Sequence, residues 1–160
     1  SSFAVLYSFQ MRNLLKGIGQ QMKWSVRDES LHSKMGCRLF NHMCSEDETL
    51  RGDVADSIYE AAKLMIDMEH TYIDKIFEMG DIEGIKSNDL KHFIKKRTNE
   101  KLVELGYVDL GNYFAYDAKA ASNLDWFYHL TGGVTHTDFF AIRPTDYSKA
   151  GESEDYENIW

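Results

Sequence analysis

The sequence predicts an all-α protein whose long helices pack as a bundle. Three observations carry this. Helix breakers are scarce, with one proline, Pro144, and 11 glycines in 160 residues. Apolar residues recur every three or four positions over long stretches, the spacing that lines one face of a helix. Glycines stand where two of those stretches stop, at Gly80 and Gly106.

Residues 3–16 read as an apolar helix, interrupted at "KGIG" by Gly17 and Gly19, each costing about 1 kcal/mol in a helix interior. A second helix runs from about Gln20 to Cys44. A third spans about Thr49 to Met79, where Leu50, Val54, Ile58, Ala61, Met65, Met68, Tyr72 and Ile76 form the seam of a bundled helix. A fourth starts at Ser87, a good N-cap, and ends at Leu105 before Gly106. Its Lys95, Lys96 and Arg97 read as a solvated face. Beyond Gly106 the chain turns aromatic and irregular, with short helical turns at most. From Pro144 it is polar, acidic and aperiodic, the composition of a disordered tail, yet it finishes on Ile159 and Trp160. Bulky apolar residues closing a solvated tail fit docking on a partner. The chain opens at Ser1 inside an apolar helix, so a processed, split or cropped chain is expected.

Composition narrows the function. A net charge of −8 argues against a general nucleic-acid binder, since phosphate contacts need a basic surface. No apolar run reaches the length of a membrane span, and no basic, then apolar, signal segment is present. Cys37 and Cys44 are seven residues apart on the second helix, roughly 10 Å at about 1.5 Å per residue. That exceeds the roughly 7 Å reach of a disulfide. They read as small reduced core residues, which fits a cytoplasmic protein.

The chemistry concentrates in "WSVRDESLHS", Trp24 to Ser33. Glu29 and His32 are three apart and share a helix face. Stepping by sevens from Glu29 meets Met22, Gly36 and Met43, and from His32 meets Ser25 and Leu39, with Val26 and Phe40 alongside. Lys23, Arg27, Lys34 and Arg38 take the opposite side. The pair is therefore expected to point inward, where a carboxylate must stay protonated or find a cation. One answer is a satisfied Glu–His pair. The other is part of a carboxylate-bridged dinuclear metal site in a helical bundle, whose oxygen-rich donors suit iron or manganese.

These residues resemble a known family. "WSVRDESLHS" in a long helix looks like the second Glu-x-x-His helix of the class I ribonucleotide reductase small subunit, its R-D-E-x-x-H core standing as Arg27, Asp28, Glu29 and His32. "NLDWFYHLTGGVTHTDFFAIRPTDYSKA" resembles that family's irregular aromatic stretch, H-T-x-F-F and T-x-Y-S-K-A tail, most like the branch that includes the chlamydial enzymes. The resemblance implies a ferritin-like bundle, with residues 1–143 its C-terminal half and 144–160 a tail that docks on the large subunit.

By the same resemblance, Glu29 and His32 would ligate one metal of an Fe/Fe or Mn/Fe centre. Asp28 would orient a histidine on a neighbouring helix along the proton and electron route, and Phe3 would help keep the pocket dry. Trp24 stands close enough to deliver electrons, or simply packs. Tyr147 matches the tail tyrosine that relays a radical, with Tyr156 as competitor, while Ile159 and Trp160 would anchor the tail. His70, His92, His129 and His136 lack an acid at this spacing and read as structural. The remaining ligands and the radical position lie on helices outside this chain. Completion by an N-terminal fragment, partnership with the large subunit and a homodimer of the completed small subunit are therefore expected. Two other readings stay open: another ferritin-like dimetal oxidase, and a metal-free helical interaction module.

Overall fold

A computed structural model describes residues 1–107 and 113–127. The described chain is all-α: α1 (Ser2–Met11), α2 (Lys16–Glu46), α3 (Leu50–Asp53), α4 (Ala55–Phe77), α5 (Ser87–Glu104) and α6 (Ala118–Ser122). This is the helical architecture expected of half a ferritin-like bundle. The tail from Pro144, with Tyr147, Tyr156, Ile159 and Trp160, lies outside the described residues, as do His129 and His136.

The first break falls earlier than "KGIG". α1 stops at Met11, and Asn13 and Leu15 take left-handed backbone, φ 63° and 49°. Asn adopts that region with little strain, and Leu does so at a cost. Gly17 and Gly19 sit inside α2 instead. Gly19 is buried, and a Cβ there would run into the side chain of Gln10. Its lack of a side chain lets α1 lie close along α2.

The expected third helix is two. Val54, at φ −102° and ψ 1°, separates the single turn of α3 from α4. The seam of α4 is also displaced. Met65, Met68 and Tyr72 are exposed, while Ile66 and Ile73 are buried, with Ile76 and Phe77 packed on the core. α4 carries apolar residues around much of its girth, and α5 covers one side of it.

Gly80 and Gly84, at φ +121° and +81°, turn the chain from α4 into α5. Ser87 is the first helical residue and Lys86 the cap. Gly106 closes α5 at φ +88°, as its position in the sequence implied. At the start of α6, Asp117 accepts from the amides of Lys119 and Ala120. The core gathers Ala4 and Val5 from α1, Ile73 from α4, Leu90 and Phe93 from α5, and Ile85 and Leu124 from the connections. Phe127 closes it, its ring edge-on to Tyr7 and Phe93, both at 6.2 Å.

"KKR" is not a solvated face. All three side chains are half-buried; Lys96 meets Asp125 at 3.0 Å and Arg97 meets Glu100 at 2.5 Å. The hydrogen bond from Lys96 to Asp125 holds the ammonium above its ordinary range, against the pull of burial. The cysteines are free, Cys44 buried and Cys37 half-buried. His70 lies 3.4 Å from the Lys91 carbonyl, and His92 accepts from the Asp117 amide at 3.0 Å. Both serve the scaffold. No described helix is long and apolar enough to cross a membrane.

Candidate functional site

α2 is 31 residues long, about 46 Å at 1.5 Å per residue. Its start lies on α1, and its buried residues are only Gly19, Val26 and Cys44. Its far end is latched to the end of α5: Asn41 Nδ2 donates to the Glu104 carbonyl at 2.8 Å, and Cys37 Sγ lies 3.7 Å from Glu104 Oε2. Burial leads the rise of the Cys37 thiol above its ordinary value, partly offset by Lys101 and reinforced by Glu104. Between these ends α2 stands off the α4–α5 pair and leaves a cleft of about 650 Å³. Phe3, Asp28, Glu29, Phe93 and Phe127 line it.

Glu29 and His32 are as close as their spacing requires, Oε2 to Nδ1 3.8 Å. They are not dry. Their side chains are 65% and 71% exposed, which corrects the inward, buried pair expected from the apolar stripe. The stripe exists, but described segments cover only part of it: Val26 is buried and Phe40 half-buried, while Leu39 and Met43 are exposed. Apolar spacing shows that a face is to be covered, and cannot show that this chain covers it.

Asp28 is exposed beside Glu29 on the wall of the cleft. Phe3 is half-buried on the opposite wall, where it narrows the cleft beside Glu29. Trp24 is 42% exposed, is not among the cleft lining, and has interactions of its own. The structure thus brings Phe3, Asp28 and Glu29 to one cleft, with His32 one turn on from Glu29.

In kind, the donors suit a carboxylate-rich metal centre, a carboxylate and an imidazole one helical turn apart. In number they fall short. No group of three or more His, Cys, Asp or Glu that could hold a metal occurs among the described residues. A site here needs donors from elsewhere.

Sequence reasoning missed Arg51. It donates to the Leu105 carbonyl and, at 3.1 Å, to Asn41 Oδ1, while its guanidinium lies over Phe40 and Tyr107. Nothing in the local sequence marks it, because its partners come from α2 and from the segment that ends α5, distant in sequence. It fixes the far end of α2 and hence the mouth of the cleft.

The family model for the ribonucleotide reductase small chain matches residues 1–113. A probable ribonucleoside-diphosphate reductase small subunit of invertebrate iridescent virus 3 is 30% identical over 158 residues, 98% of this chain and 40% of that protein. Its counterpart in invertebrate iridescent virus 6 is 29% identical, over all of this chain and 50% of that protein. The ribonucleoside-diphosphate reductase subunit beta of Chlamydia pneumoniae is 24% identical, over 94% of this chain and 42% of that protein. No solved structure matches significantly. The chain spans 40–50% of the length of these relatives. The matched span contains α1 to α5, the cleft lining except Phe127, and the R-D-E-x-x-H core, and on that ground the chain belongs to the ribonucleotide reductase small-chain family.

Proposed function

We propose that this chain is the C-terminal part of the small subunit of ribonucleoside-diphosphate reductase, and that it contributes Glu29 and His32 to a dinuclear metal site completed by ligands on an N-terminal segment. One observation carries the reading. Asp28 and Glu29 line a cleft along a side of α2 that described segments cover only in part, with His32 one turn on from Glu29.

In this role Glu29 supplies carboxylate oxygen and His32 ring nitrogen to the metal. Asp28, exposed on the cleft wall, is available to hydrogen-bond a histidine arriving on a neighbouring helix and so fix its tautomer. Phe3, Phe93 and Phe127 exclude water once the cleft is closed. When bound, an Fe/Fe or Mn/Fe centre supplies the one-electron oxidation that begins radical storage. The tail then serves the large subunit, with Tyr147 relaying the radical and Tyr156, Ile159 and Trp160 docking. The completed small subunit is a homodimer in the cytoplasm.

The first test is native mass spectrometry with elemental analysis on the chain co-expressed with its N-terminal counterpart. A complex carrying about two metals per small subunit is expected; a metal-free complex defeats the reading. A different ferritin-like oxidase would use the same two ligands and need no tail. Deleting residues 144–160 separates the two. The reductase loses turnover with its metal content intact, whereas such an oxidase keeps its activity.

A further inference from the structure

Two walls of the cleft belong to different helices, and a residue on neither helix joins them. Glu29 stands 12 residues before Asn41 on α2, and Phe93 stands 11 residues before Glu104 on α5. Asn41 Nδ2 donates to the Glu104 carbonyl at 2.8 Å. Counted back from that contact, Glu29 and Phe93 are level, each about 17 Å along its helix at about 1.5 Å per residue. The spacing of the two walls is therefore set where Asn41 meets the end of α5.

Arg51, carried by α3, governs that contact. Its guanidinium donates to Asn41 Oδ1 at 3.1 Å and to the Leu105 carbonyl, and it lies over the rings of Phe40 and Tyr107. The Asn41 amide is thus held from both sides, by Arg51 and by Glu104. The Glu104 and Leu105 carbonyls end α5, where a helix leaves acceptors open and favours a cation. Only a planar, forked donor serves two acceptors while stacking on rings; a lysine reaches one of them.

The rest of α2 offers little to replace this clamp. Its buried residues are Gly19 and Val26 on the near side of the cleft and Cys44 beyond the clamp, while Leu31, Met35 and Leu39 between them are exposed. α2 behaves as a beam supported up to Val26 and again at Asn41, with Glu29 and His32 in the span. A swing of about 2 Å at Asn41 moves Glu29 by about 0.4 Å and His32 by about 0.8 Å, in proportion to their distance along that span. A ligand set tolerates about 0.5 Å.

We infer that Arg51, acting through Asn41, is a positioning residue for the cleft: it sets how far α2 stands from α5, and so where Glu29 and His32 present their donor atoms. The part that concerns metal rests on the function proposed above. The part that concerns the two helices does not.

Two native thiols report the helices. Cys37 and Cys44, half-buried and buried, flank Asn41 on α2. Arg51→Ala and Asn41→Ala should each raise their rate of modification by a neutral disulfide reagent about tenfold or more, located by peptide mass spectrometry. The double variant should be no faster than the faster single, since the same clamp is broken once. Arg51→Lys should fall between Arg51→Ala and wild type. Ile73→Val loosens the core away from the clamp, and its thiols should stay slower than those of Asn41→Ala. In the complex with the N-terminal counterpart, elemental analysis should show about half the metal or less in Arg51→Ala and Asn41→Ala, and a wild-type content in Ile73→Val. Thiols no faster in the clamp variants than in Ile73→Val overturn the inference. Faster thiols with full metal content overturn the positioning of Glu29 and His32. A wild-type complex without metal defeats the proposed function itself, and the thiol rates still decide the clamp.

Discussion

The guanidinium of Arg51 hydrogen-bonds the main-chain carbonyl of Leu105 across 54 residues of sequence. That carbonyl belongs to the last turn of α5, whose acceptors the helix leaves unsatisfied. Arg51 also reaches Asn41 on α2, and its own carbonyl accepts from Tyr107 Oη at 2.9 Å. Gly106 is the neighbour that permits this, since a Cβ there would collide with the guanidinium. Arg51→Ala should cost about 2 kcal/mol, from charged hydrogen bonds and lost stacking on Phe40 and Tyr107. Urea unfolding followed by circular dichroism measures it. A loss below 0.5 kcal/mol would mean that the latch is held by other groups.

The phase of α4 has a direct check. Ile73 is 0% exposed at the centre of the core and Met68 is 65% exposed. Ile73→Ala should therefore cost about 2–5 kcal/mol, through lost transfer energy and a cavity. Met68→Ala should stay within about 0.5 kcal/mol. If the two losses were reversed, the stripe read from the sequence would be the core face after all.

His70 gives the fold a pH dependence. Burial leads in pushing it below its ordinary value of 6.5, and Lys95 and Lys91 add to this, while the hydrogen bond to the Lys91 carbonyl and the charge of Asp67 oppose it. The unfolded chain therefore takes up the proton first as pH falls. The contribution is complete above 6.5 and is lost progressively down to the lowered value in the folded chain, below which it levels off. His70→Gln removes this titration, so the melting temperature should vary less across that window. Melting curves of both proteins between about pH 8 and pH 5 decide it.

Glu29 and His32 should be dispensable for the fold and needed for metal. Both are exposed in this chain, so Glu29→Ala and His32→Ala should each change stability by less than about 0.5 kcal/mol. In the completed small subunit each should lower the metal content measured by elemental analysis. A metal-free interaction module would tolerate both substitutions in every assay.

How far the sequence could be read depended on where each partner residue lies. α5 was legible nearly to its ends: Gly106 closes it through local backbone, while its start was read one residue late, since Lys86 and not Ser87 is the cap and no side chain caps it. The pairing of Glu29 with His32 was legible from helix geometry alone. The α1–α2 turn was not, since Asn13 and Leu15 carry it while the nearby glycines serve a close contact with Gln10. The face of α4 was not, because apolar residues surround much of that helix and only α5 selects among them. Arg51 was invisible, its partners being distant in sequence. The exposure of Glu29 and His32 was misread for a related reason: the apolar stripe was correct, and the described chain covers only part of it.

The bare sides of α2 and α4 also bear on how much of this protein a cell can keep. Exposed Met, Leu and Tyr along two helices are what quality-control proteases and holdase chaperones engage. A copy whose α2 and α4 are left bare should therefore turn over faster in a cell than one whose exposed side chains are covered.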